Sequence, residues 1–186
     1  MGTYCDAAAG HPIHGPFHDE EHGFPVRKDD ELFERLALEI MQAGLSWLTV
    51  LKKRVAFREA FDQFDPVKVA AYGEEDVERL MNNPGIIRNR LKILALIENA
   101  KVILRMRESH GGFAGWLDAQ TARSREEWIK LFKRTFRFTG GEIVNEFLMG
   151  VGYIPGAHRP DCPVARKIAR LGGPATGPRQ AGKRES

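Results

Sequence analysis

A helical periodicity broken once, at Gly44, constrains this chain more than any other feature. Before it, Leu32, Phe33, Leu36, Ala37, Ile40 and Met41 recur at the spacing of one helix face. After it, Leu48, Val50, Leu51, Val55 and Phe57 provide apolar faces for a second helix, with Ser46 as its cap. Two amphipathic helices joined at a glycine must bury their faces against further elements, and the rest of the chain offers helices to receive them.

Asp29 or Asp30 can cap a helix from about Glu31 to Met41. Asp65-Pro66 reads as a turn before another short helix, and Glu74 to Met81 as a helix stopped by Asn82-Asn83-Pro84-Gly85. Ile86 to Glu108 is one long helical pattern ended by His110-Gly111-Gly112. Phe113 to Leu117, Arg125 to Phe132, Glu142 to Met149 and Val164 to Leu171 continue the series, with Trp116 and Trp128 expected inside. Few stretches alternate at the period of a strand, so the expected fold is all-α. The chain has 186 residues, 42% of them hydrophobic, which is enough for a single helical domain over residues 1–171. The Gly-, Pro-, Arg- and Lys-rich stretch 172–186 reads as a disordered basic tail.

A formal charge of +3 is too small to establish a nucleic-acid partner by itself. No apolar run approaches the ~20 residues that span a bilayer, and no basic-then-apolar leader pattern opens the chain. No membrane partner and a cytoplasmic location are the expectations. Neither a Gly-rich phosphate loop nor a serine or cysteine nucleophile signature occurs.

Residues 1–27 read as irregular, broken by several glycines and prolines. They carry Cys5, His11, His14, His18 and His22, and His158 to Cys162 form a second cluster near the other end. Cys5, His18, His158 and Cys162 supply two thiolates and two imidazoles, the donor set of tetrahedral structural zinc. On spacing alone, a free thiol beside surface histidines is equally ordinary. Glu39 lies at the edge of its apolar face. There it reads first as a solvated helix glutamate, and second as a carboxylate lining a pocket floored by Trp47, where desolvation raises its pKa.

Several separate motifs occur in one order: Glu39 to Arg54 with Gln42-Ala43-Gly44-Leu45-Ser46-Trp47 inside it, Phe64 to Ala70, Glu75 to Leu80, and Gly85-Ile86-Ile87-Arg88. By these motifs the chain resembles the DNA-3-methyladenine glycosylase I family of base-excision repair enzymes, from Tyr4 to Cys162. The resemblance implies a monomeric, monofunctional N-glycosyl hydrolase. Its substrate is double-stranded DNA containing alkylated purines, chiefly 3-methyladenine, which it flips out and releases. It further implies that Glu39 hydrogen-bonds the base, that Trp47 stacks on it, and that Gly44 and Leu45 fill the gap left by the extruded nucleotide. Gly85, Ile86, Ile87 and Arg88 would form the turn of a helix-hairpin-helix that holds phosphate. One structural zinc, on Cys5, His18, His158 and Cys162, would join the two termini.

Three pocket positions depart from the family pattern. His14 and Phe17 stand where tyrosines are usual, and His22 stands where a tryptophan is usual. A ring without its hydroxyl at Phe17 costs one contact to the base, typically about 1–3 kcal/mol. The alternative reading is therefore a zinc-stapled helical DNA-binding protein with lost or altered base specificity.

Overall fold

The structure, a computed structural model, describes residues 3–120 and 123–173, and within them all regular structure is helical. In order the helices are α1 (Tyr4–Ala8), α2 (His14–Glu20), α3 (Asp29–Gln42), α4 (Trp47–Lys52), α5 (Arg54–Ala60), α6 (Pro66–Ala70), α7 (Glu74–Met81), α8 (Arg90–His110), α9 (Phe113–Asp118), α10 (Arg125–Thr135), α11 (Gly141–Gly150) and α12 (Pro163–Leu171). None is long and apolar enough to cross a membrane. The proposed tail beyond residue 173 lies outside the described residues.

Helix α3 is the centre of the molecule. Leu32, Phe33, Leu36, Ala37, Leu38, Ile40 and Met41 are all fully buried, so the expected face is apolar and Leu38 widens it. Helices α4, α6, α8, α9 and α11 pack around it. Its C-terminal carbonyls are satisfied by a buried lysine: Lys92 Nζ donates to Met41 O at 3.0 Å and to Ala43 O at 2.7 Å. Gly44 follows in the left-handed region at φ 82°, where any side chain is disfavoured. Ser46 then caps α4, accepting from Thr49 N–H at 3.1 Å.

Four sequence expectations need correction. Residues 1–27 are not wholly irregular. Asp6 accepts from Thr3 N–H to start α1, and Pro16 falls in the first turn of α2, where a missing N–H leaves nothing unpaired. Neither Asp29 nor Asp30 caps α3. Asp29 lies inside the helix and accepts instead from Phe113 N–H at 2.8 Å and Arg107 Nε at 2.5 Å. The long helix begins at Arg90 rather than Ile86, because Asn89 caps it by accepting from Lys92 N–H at 3.1 Å. Val55 is exposed, and a break at Lys53 separates α4 from α5.

An ionic network fastens α2 and α5 to α3. Glu34 accepts from Arg54 Nε and Arg58 Nε, each at 2.7 Å. Arg54 also donates twice to Glu21 at 2.7 Å, and the buried Arg35 bridges Glu21 to Gly150 O at 3.1 Å. Burial works against the Glu34 carboxylate. The hydrogen bonds and charges of Arg54 and Arg58 outweigh it and hold the pKa below the usual value. The network's contribution is therefore present above the ordinary glutamate pKa and lost as pH falls through the depressed one. Glu34→Ala leaves Arg54 partly desolvated without its partner and should cost about 3 kcal/mol in urea unfolding at neutral pH; a change below about 0.5 kcal/mol would show the network to be ornamental.

Candidate active site and metal cluster

The two ends of the chain meet at four side chains. Nitrogen or sulfur atoms of Cys5, His18, His158 and Cys162 all lie within 4.8 Å of one another. His158 Nδ1 is 3.1 Å from His18 Nε2 and 3.8 Å from both Cys5 Sγ and Cys162 Sγ, and Cys162 Sγ is 3.9 Å from His18 Nε2. Bonds of about 2.0–2.1 Å to nitrogen and about 2.3 Å to sulfur give tetrahedral edges of roughly 3.3–3.8 Å, so these four separations lie within a few tenths of an ångström of such edges, and the remaining pairs, within 4.8 Å, need at most about 1 Å of closure. The outward ring nitrogens are held as well. His158 Nε2 donates to His22 O at 2.7 Å, and His18 Nδ1 faces Asp19 Oδ1 at 2.7 Å. With the outward nitrogens engaged in this way, His158 Nδ1 and His18 Nε2 are the ring atoms that face the centre, the arrangement seen around metal-ligating histidines. Gly23 permits the closure: its φ is 82°, and a Cβ there would come within 2.7 Å of Ala157 Cβ.

Beside the cluster lies a cavity of about 400 Å³. Tyr4 and His22 line it from the N-terminal segment, Glu39 and Gln42 from α3, Trp47 from the start of α4, Glu146 and Met149 from α11, and residues 156–159 from the C-terminal segment. The volume suits a ligand the size of a purine. Trp47 is half-buried and presents an aromatic wall. Burial, with the Glu146 charge adding to it, pushes the Glu39 carboxyl up to about 8, against the opposing pull of Arg35. The His22 ring is pushed down to about 3 by burial and by Arg35, so it is neutral at pH 7. A neutral imidazole, a phenol and two carboxyl groups around one aromatic wall can recognise a flat polar ring, above all one carrying positive charge.

Of the residues singled out in the sequence, Glu39, Trp47 and His22 meet in this cavity, whereas Phe17 and His14 do not line it. Phe17 is buried behind Trp47, ring centroids 5.3 Å apart, with the Arg35 guanidinium 4.5 Å from its own centroid. His14 Nδ1 is 3.2 Å from the Tyr4 hydroxyl. Tyr4, Gln42, Glu146 and Met149 were not anticipated. Tyr4 puts a phenol on the wall, its pKa pushed up to about 12 by burial, in a pocket where the ring at Phe17 has no hydroxyl. Its position one residue before Cys5 is the only sequence signal that could have found it.

Gly44 and Leu45 border a neighbouring groove with Gly140, Gly141 and Ile143, and the Leu45 side chain is 44% exposed at the tip of its turn. The hairpin residues sit apart from the cavity. Gly85 N–H donates to Asn83 Oδ1 at 2.8 Å, while Lys53 Nζ donates to Pro84 O and Gly85 O at 3.2 and 3.3 Å. Ile86 is buried, and Arg88 is exposed. Among the described residues, the Ile87 and Arg88 N–H groups donate no backbone hydrogen bond.

Comparison with known proteins adds independent findings. A family model described as methyladenine glycosylase matches residues 7–129. DNA-3-methyladenine glycosylase 1 of Escherichia coli is 40% identical over 169 residues, covering 81% of this chain and 90% of that protein. The structure of a tyrosine-to-phenylalanine variant of 3-methyladenine DNA glycosylase I in complex with 3-methyladenine superposes with a TM-score of 0.76 at 35% identity, covering 84% of this chain and 95% of the other. The Staphylococcus aureus 3-methyladenine DNA glycosylase I gives 0.76 at 33% identity, over 88% and 97% of the two chains.

In a protein labelled at its glutamate side-chain carboxyls, the Glu39 signal should titrate with a midpoint near 8, and Glu146→Gln should move it down. The folded state then keeps a proton that the unfolded chain has lost. Stability from this site is accordingly present below the ordinary pKa of 4.5 and declines as pH rises through about 8. A midpoint near 4.5 would show Glu39 to be an ordinary solvated carboxylate.

Proposed function

The chain belongs to the methyladenine glycosylase family, and from that premise we propose how its own residues carry out the family's reaction. The protein is a DNA base-excision repair glycosylase that removes 3-methyladenine from damaged DNA by hydrolysing the N-glycosidic bond. The observation that carries the site assignment is the shared cavity of Trp47 and a Glu39 with a raised pKa.

A base methylated at N3 is cationic while attached to the sugar, and becomes a neutral ring when the bond breaks. Such a leaving group needs little protonation, so the pocket's task is recognition and charge complementarity. In our reading the base is extruded from the duplex, stacks on Trp47 and meets Glu39. Arrival of a cation favours the ionised carboxyl, so Glu39 loses its proton on binding and then attracts the ring. Tyr4 and His22 offer further hydrogen bonds around the ring edge, with Phe17 and His14 supporting Trp47 and Tyr4 from behind.

Double-stranded DNA containing alkylated bases is the proposed partner of a single protein chain working in the cytoplasm. Leu45, on the turn opened by Gly44, enters the duplex as an apolar wedge. The hairpin α7–turn–α8 acts as the helix-hairpin-helix, with the N–H groups of Ile87 and Arg88 and the exposed Arg88 charge toward a phosphate, and Gly85 and Ile86 shaping the turn. One structural zinc is held by Cys5, His18, His158 and Cys162. Four protein ligands would leave it no open position, so it joins the termini and takes no part in the chemistry.

Incubation with methylated duplex DNA and chromatography of the released bases tests the reading. Free 3-methyladenine should appear, and Trp47→Ala should lose most of the affinity for the free base while duplex affinity falls far less. Leu45→Gly should slow excision from duplex much more than from single strands. No free base at stoichiometric enzyme would refute the assignment, and equal effects of Leu45→Gly on both substrates would remove the wedge.

A further inference from the structure

The cavity and the groove meet at three residues that line both: Glu39 and Gln42 on α3, and Glu146 on α11. Leu45 lies on the groove side and Trp47 on the cavity side. This inference rests on the proposed base-excision reading. A nucleotide that leaves a duplex at Leu45 and delivers its base to Trp47 passes between those three side chains. Its phosphates stay outside and its base goes in, so the sugar and the bond to be broken lie at the threshold.

From this placement we propose that Glu146 is a catalytic residue of excision, a carboxylate beside C1′ of the extruded nucleotide that stabilises the sugar cation and takes a proton from the attacking water. Glu39 serves the base, and Glu146 serves the sugar. The N9–C1′ bond breaks with its electron pair going to N9, which neutralises the methylated ring. The water oxygen bonds to C1′, one of its protons passes to the Glu146 carboxylate, and that proton is later released to solvent. One cationic nucleotide and one water thus yield a neutral base, an abasic sugar and one proton.

The surroundings of Glu146 suit this role. It is half-buried, and the Asn145 side chain beside it on α11 hydrogen-bonds its carboxylate. The charged or titratable groups around it are Glu142 on its own helix, Arg125 on α10, Glu39 on α3, Tyr4 and Cys5 on α1, His22, and His158 and Arg159 from the C-terminal segment, the Arg159 guanidinium being paired with Asp6 and Asp161. Burial raises its pKa and Glu142 adds to that, while the Asn145 hydrogen bond and the Arg125 charge oppose them. Phe147 and Leu148, next along α11, are buried in the core and fix the face that Glu146 and Met149 present. No part of the sequence pattern distinguished this glutamate from an exposed one.

Single-turnover excision from duplex DNA containing 3-methyladenine, paired with binding of the free base, is the test. Glu146→Gln should lower the excision rate by about 10²-fold, a far larger effect than any change it makes in free-base affinity through the Glu39 ionisation that it eases. The rise of the rate with pH that follows Glu146 ionisation should disappear in the variant. Formate should restore part of the rate to Glu146→Ala, because a small carboxylate can reoccupy the threshold. An unchanged rate and pH profile in folded Glu146→Gln, with Glu39→Gln impaired in base binding, would overturn the role of Glu146 and leave the glycosylase reading intact. Absence of 3-methyladenine release by the unaltered protein would overturn both.

Discussion

The closure of the two chain ends on one another is the constraint on which the rest depends. Cys5 and Cys162 are separated by most of the sequence, yet both are buried in one small cluster with Val164. That apolar cluster is far too small to hold two terminal segments against their chain entropy. The four convergent donors provide the missing interaction if they share a metal, because binding energy at a site absent from the unfolded chain becomes folding energy. What the closure builds is the cavity. Tyr4 and His22 come from one end and residues 156–159 from the other, so opening the clasp removes both walls while leaving Trp47 and Glu39 in place.

Electrostatics then follows from what the walls contain. Two carboxyl groups, Glu39 and Glu146, face one cavity, while Arg35, the nearest buried cation, is committed to Glu21 and Gly150 behind the Phe17 ring. An empty pocket of this kind holds a proton, and a pocket holding a cationic ring gives that proton up. In the proposed reading, selectivity for a positively charged base arises from the pocket's own preference for neutrality, with no strong acid required to drive the leaving group.

Local signals made much of the fold legible. The apolar face of α3, the helix break at Gly44 and the Ser46 cap each depend on residues within a few positions, and the structure keeps all three. Helix starts were misread where a tertiary partner competed: Asp29 gave its carboxylate to Phe113 and Arg107, and Ile86 left the helix pattern for the core. The cavity was legible only in part. An edge position on α3 cannot reveal whether Glu39 is wet, since its pKa depends first on burial by distant segments and then on Glu146, over a hundred residues further along. Tyr4 and Glu146 carry no pattern of their own, because a pocket wall assembled from distant segments leaves no periodic trace. The resemblance named Phe17 and His14 with the pocket, and the structure sets them one layer behind it.

Hydrogen exchange across residues 3–27, compared between zinc-loaded and chelator-treated protein, tests the account most directly. Exchange should quicken there and in the C-terminal segment when the metal is stripped, while α3 and α8 remain protected. Identical protection with and without metal would contradict a clasp that builds the pocket.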